Sequence, residues 1–242
     1  MQRFFILIVT TVLFSCKPSS FFEASSTKTA NQVILGSIGS EKDFLLQKHF
    51  NSSALPSYRK PIRVQAVKKQ FNKQTYKAYQ DAATLQSAKI PVTYIDSLPN
   101  KPKYLQLQIA DKVTLIEALN SEENSGVQEY LDHNAHAQVL TRISIVLKEE
   151  DMQGMIDADA IFLTEKRSKN YVLEVHKAEG AIATIRLNQG IIFQYQVSNC
   201  CWQENARHDI EVADLVGTYT QCPKSTYRSS QRAKKRANHY KL

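Results

Sequence analysis

The chain has 242 residues, 43% hydrophobic and 9% aromatic, enough apolar side chain to pack a core and too much for a disordered polypeptide. With only seven glycines it does not read as a Gly-rich phosphate-binding fold. The formal charge of +8 is carried at the ends: Arg3 and the seven bases beyond Asp214 (Lys224, Arg228, Arg232, Lys234, Lys235, Arg236 and Lys241) account for all of it. The basic character therefore belongs to a tail and not to the fold, and no nucleic-acid partner is expected.

Behind Arg3, residues 4–12 form an apolar run shorter than the roughly 20 residues of a membrane-spanning helix, which suits the core of an export signal. The next four residues, Leu13-Phe14-Ser15-Cys16, resemble the lipobox of bacterial lipoproteins, with Leu three before the cysteine and a small residue just before it. Phe14 departs from the pattern, where small or polar residues are common. The resemblance covers only this segment. It implies diacylation of the Cys16 sulfur, cleavage between Ser15 and Cys16, and further acylation of the new amino terminus. Lys17 stands where an aspartate would resemble an inner-membrane retention signal, so the resemblance implies the outer membrane of a Gram-negative envelope. The expected segments are a signal peptide at 1–15, a lipidated flexible tether at 16–32, a globular domain at 33–222 and a basic, disordered tail at 223–242. Flexible-chain scaling lets the Ser/Thr-rich tether hold the domain about 20 Å from the lipid.

Along the domain, residues 33–38 read as a strand and 41–50 as a short helix with Phe44, Leu45 and His49 near one face. Val67, Phe71, Ala78, Ala82 and Leu85 recur at helical spacing and predict one helix over 64–89, with Lys68, Lys69, Lys73 and Lys77 on its solvated side and Pro91 as its stop. Strands are expected at 92–95 and 104–109. Asp111 is placed to cap a helix carrying Leu115, Ile116 and Leu119. Ser125 and Gln128 have capping-box spacing for another, carrying Val127, Tyr130 and Leu131.

The second half changes character. Residues 139–147, 160–165, 171–176, 181–187 and 191–197 read as about five consecutive strands, with Gly190 at a positive-φ position of a hairpin loop. Alternation assigns Ile143, Ile145, Leu147, Leu173, Val175, Ile185, Leu187, Phe193, Tyr195 and Val197 to one core face. It assigns Arg142, Glu174, His176, Thr184, Arg186, Gln194 and Gln196 to the other. The expected fold class is α+β: an antiparallel β-sheet formed by a C-terminal meander of about five strands, with helices from the N-terminal half packed on one face.

Candidate chemistry is sparse. If the sheet curls, Glu174, His176 and Arg186 line a concave polar surface able to take a ligand. Glu129, Asp132, His133 and His136 have helical spacing suited to metal ligation but lack His-Glu-x-x-His, and the acids at 149–159 lack calcium-loop order, so no metal or cofactor is expected. Ser57-Tyr58-Arg59-Lys60 matches Ser-x-x-Lys without its companion motifs, leaving no catalytic residue to name. In an oxidising compartment Cys222 is expected to pair with Cys200 or Cys201, closing a loop of about 20 residues and pinning a helical segment with Ile210, Val212, Leu215 and Val216. Lys224, Arg228, Arg232, Lys234, Lys235 and Arg236 suit contact with an acidic surface.

Anchor, tether and tail all concern placement. The expected role is a lipid-anchored, non-catalytic accessory subunit of an envelope protein complex at the outer membrane. Alternatives are a binding protein for a small or lipidic ligand on the sheet face and a cell-envelope hydrolase built on Glu174 and His176.

Overall fold

β-branched and aromatic residues at alternating positions in both halves of the chain build one antiparallel sheet, which dominates the fold. The structure is a computed structural model that describes residues 26–44, 47–177 and 180–239. Cys16, the signal segment, most of the tether and Lys241 lie outside the described residues. In chain order the elements are β1 (Thr27–Lys28), β2 (Ile38–Phe44), β3 (Gln47–Ala54), β4 (Ile62–Gln70), α1 (Lys73–Leu85), β5 (Lys103–Ile109), α2 (Lys112–Leu119), α3 (Ser125–His133), β6 (Gln138–Val146) and α4 (Glu149–Ile156). Then follow β7 (Ala160–Arg167), β8 (Asn170–His176), β9 (Ile182–Ile185), β10 (Ile191–Glu204), β11 (Ile210–Gly217) and α5 (Ser230–His239).

The expected α+β arrangement does not form. The 11 strands make one sheet with the path β1-β10-β6-β5-β4-β7-β8-β9, while β11 joins β10 and the β2–β3 hairpin joins β6. Strands β4 and β5, from the first half, sit between β6 and β7, so the supposed meander is interrupted. The reason is local. Residues 64–89, expected as one helix, divide at Asn72. Before it, Ile62 and Val64 alternate with polar residues and pair with β5 and β7. After it, Asn72 and Thr75 form a reciprocal capping box that starts α1. The helix expected at 41–50 is the β2–β3 hairpin, with Glu41 opposite Phe50. Residues 33–37 and 92–95 are irregular, though Val33 and Leu35 are buried.

Connectivity makes the sheet curl. Six strand spacings separate β10 from β9 along the path, about 29 Å if flat. Ile185 and Ile191 are joined by a segment that spans at most about 20 Å. The sheet therefore wraps around its apolar face, and β4 to β10 all feed one core: Ile62, Leu107, Ile143, Ile145, Leu163, Leu173, Val175, Ile185, Ile192, Tyr195 and Val197 belong to a single buried cluster. Met152 and Met155 of α4, Leu115 and Leu119 of α2 and Leu131 of α3 complete it. The concave side is thus the dry one, and the polar side chains of the sheet lie outside.

A smaller layer covers part of the outside. Ala78, Tyr79 and Ala82 of α1 pack with Phe71, Tyr104, Val146, Ile191 and Phe193. Phe193 was expected beside Tyr195 in the main core, but a bulge between Ile192 and Gln194 changes the alternation and turns it to the α1 side. The Gln86 side chain fastens the end of α1 to β10, donating to Ile192 O at 2.6 Å and accepting from Ile192 N at 3.0 Å.

Other boundaries differ for equally local reasons. Gly190 has φ −109°; its need is close approach, because a Cβ there would lie 2.7 Å from Val146 O. The acidic connection after β6 folds as α4, with Glu149, Glu150 and Asp151 in its first turn, where the helix dipole favours them. Helix α3 forms, but Ser125 lies inside it, and Asn124 at the cap position makes no side-chain capping bond. The segment expected as a helix carrying Val212 and Leu215 is strand β11, paired along the second half of a 14-residue β10. Part of the tail expected to be disordered is helix α5, with Ser230 and Ala233 each 2% exposed.

Candidate functional site

The N-terminal entry and the C-terminal helix meet on strand β10. One side of β10 pairs with β6. The other carries β1 and β11 end to end: Thr27 faces Tyr195, Lys28 faces Gln194, and Gly217 faces Ser198. Since β1 runs antiparallel to β10, its Thr27 end is the one nearer Gly217, three β10 residues or about 10 Å away. The loop after Gly217 carries Tyr219, which is 82% exposed.

The following segment crosses β10. Cys222 is bonded to Cys201 with a Cα–Cα distance of 5.7 Å, and Tyr227 and Trp202 exchange backbone hydrogen bonds at 2.7 and 2.8 Å. The Arg228 guanidinium donates to the carbonyls of Gly217, Thr218 and Thr220, clasping the Tyr219 loop. Cys200 is buried and free, and burial pushes its thiol up to about 12, so it is an inert thiol at neutral pH.

Helix α5 is fixed on one side only. Ala233 is buried, Ser230 Oγ donates to Asp132 O at 3.1 Å, and Lys234 Nζ lies 2.7 Å from Asp132 Oδ2. Partial burial raises the Asp132 carboxyl, but the hydrogen bond and charge of Lys234 outweigh it and hold the group below the usual carboxylate range. Arg232, Lys235 and Arg236 are exposed and spaced three and four apart, which puts them on one side of the helix. Of the six bases expected to contact an acidic surface, Arg228 and Lys234 are thus engaged within the chain, and Lys224, Arg232, Lys235 and Arg236 remain exposed.

Glu174 and His176 come together, but on the convex outside. His176 Nε2 is 3.8 Å from Glu174 Oε2, Glu174 pairs with Lys166, and the His176 ring stands edge-on to Phe162 at 5.1 Å. Arg63 caps that group, its guanidinium 5.5 Å from the Phe162 ring. Arg186 is not part of it and lines a separate hollow with Lys169 and Asn170. Cross-strand register also lines up Gln65, Gln108, Arg142 and Gln196 in a polar row. Arg142, half-buried there, donates to Gln108 Oε1 at 2.5 Å, and burial pushes its guanidinium down from its ordinary value.

A groove of about 950 Å³ lies between α3, the β10–β11 turn and α5, with Gln128, Asp132, Trp202, Asn205, Glu211 and Lys234 on its walls. Its neighbours Glu204 and His208 are within 2.7 Å of each other, and the disulfide removes Cys201 and Cys222 from any metal set with His208. Among the described residues, no three His, Cys, Asp or Glu side chains converge to hold a metal ion, and no helix is long and apolar enough to cross a membrane. The role of β10 as a common support was hidden in the sequence because its last seven residues, Ser198 to Glu204, mix polar residues with two cysteines.

No family model matches the chain, and no curated protein matches it. Among solved structures, the cryo-EM structure of the Gasdermin A3 membrane pore aligns at 9% identity over 85% of this chain and 94% of that one, with a TM-score of 0.31. A likeness that weak carries no argument.

Proposed function

We propose that the chain is a lipid-anchored cell-envelope protein, held at the outer membrane through Cys16 and acting as a non-catalytic accessory subunit of an envelope complex. The observation that carries the reading is where the domain begins. Among the described residues, the first strand pairing is at Thr27, eleven residues after the lipobox cysteine. A chain of that length spans at most about 40 Å in any conformation, so an acylated Cys16 keeps the domain close to the bilayer surface. Two acyl chains, at about 0.8 kcal/mol per buried methylene, make such attachment stable. The outer sheet face, with Arg63, Phe162, Glu174 and His176 grouped on it, offers the mixed charged and aromatic surface that partner proteins recognise.

The test is gentle solubilisation and purification through a tag after Leu242, with co-purifying proteins identified by mass spectrometry against a Cys16→Ala control. A near-stoichiometric membrane partner lost in the control is the expected result. Recovery of the protein alone overturns the accessory reading.

A second reading, a binding protein for a small or lipidic ligand, is favoured by the groove of about 950 Å³ beside Trp202. Its volume suits a ligand of drug-like size.

A further inference from the structure

We infer that the sheet edge formed by β1 and β11 is an orienting surface for an anionic phospholipid bilayer, made by Tyr219 and the free side of α5. This deepens the anchored reading by naming what the domain rests on once tethered. Three independent features converge there. Strand β1 enters from the Gly217 side, its Thr27 end three β10 residues from Gly217, so an anchor upstream of Thr27 brings this edge to the lipid. Tyr219, 82% exposed, stands in the adjoining loop, and a tyrosine with its ring in the headgroup layer and its hydroxyl in water suits that depth. The Arg228 clasp then ties this loop to the segment that opens α5, whose outward side carries Arg232, Lys235 and Arg236.

Charge complementarity selects the occupant. No acidic residue follows Asp214, and Asp214 itself faces Lys112 at 2.8 Å. Asp132, the acid beneath α5, is engaged by Lys234. The three outward bases therefore have no acid of their own chain among the described ion pairs. At physiological salt, screening acts over about 8 Å, so they respond only to a negative surface in near contact. The tether supplies that contact. One anchor fixes distance, and a second contact a few residues away fixes orientation, so the outer sheet face is presented sideways from the membrane instead of tumbling.

The test is amide hydrogen exchange on the full-length mature protein, as purified from membranes, in vesicles of phosphatidylcholine alone and of phosphatidylcholine with phosphatidylglycerol. The expected result is exchange at 217–220 and along α5 slowed at least fivefold by phosphatidylglycerol, reversed by 0.5 M salt and absent in the Arg232→Glu/Lys235→Glu/Arg236→Glu variant. The three positions are exposed, so the domain is expected to fold unchanged, checked by exchange in β5 and β6. Equal exchange in both vesicle types overturns the inference, and so does slowing produced by lipopolysaccharide but not by phosphatidylglycerol. Should the purified protein carry no acyl chain, the anchoring reading fails separately. The same measurement with vesicles added to the soluble protein still decides whether the edge binds them.

Discussion

Asp132 in α3 and Lys234 in α5 are 102 residues apart in sequence and 2.7 Å apart in space, and this pair holds the basic tail to the domain. The lysine is half exposed, so the pair contributes little to global stability, on the order of 0–1 kcal/mol. Its effect is local. Because the Asp132 carboxyl is held below its usual range, the pair's contribution is present above the unfolded value near pH ~4 and is lost as pH falls through the folded value. Exchange in α5 is expected to accelerate relative to β6 as the pH falls below about 4. In Asp132→Asn that relative change is expected to vanish.

The Cys201–Cys222 bond closes a loop of 21 residues and is expected to stabilise by about 3 kcal/mol. Cys201→Ser with Cys222→Ser should lower the melting temperature by roughly 6–12 °C, from the usual scaling for a domain of this size. Thiol titration separates the cysteines. Cys200 is expected to react only after unfolding, and reaction in the native state would contradict its burial.

Gln86 adds a polar connection between the two layers. Both ends of its amide bond the Ile192 backbone, with 6% of the residue exposed. Gln86→Ala leaves a buried N–H and C=O unpaired and should cost about 2–3 kcal/mol. Chemical denaturation measures it, and a loss under 1 kcal/mol would mean that water replaces the amide.

These contacts explain which parts of the fold were legible. Period-2 alternation found β5 to β9 closely, because Leu107, Ile109 and Val175 are buried while Gln106, Gln108, Glu174 and His176 are not. It failed where a residue is extra. The bulge at Phe193 and the shift at Cys201 each break the alternation, so in the sequence β10 ends early and β11 reads as a helix. Residues 64–89 deceived for another reason: Val67 and Phe71 fall at helical spacing by coincidence across a strand-to-helix junction that only the Asn72 cap marks. The sheet path was invisible because hydrophobic pattern says which face is buried and not which strand is adjacent. For the site, the sequence showed a basic tail, but not that Arg228 and Lys234 turn inward. Alternation puts Glu174, His176 and Arg186 on one face, while the end of β9 takes Arg186 away.

Trp202 is the only tryptophan in the chain and lines the large groove, so its emission reports occupancy directly. Organic extraction of the purified protein is expected to leave the Trp202 spectrum unchanged under the accessory reading. A blue-shifted spectrum that reverts on extraction would favour the ligand-binding reading instead.

The central claim is that Cys16 anchors this domain, and the most direct test is the intact mass of the protein extracted from membranes. The account predicts a chain beginning at Cys16 and carrying two or three acyl groups, with the Cys16→Ala variant released or left uncleaved. A mass beginning at another residue, with no acyl group on Cys16, would contradict it.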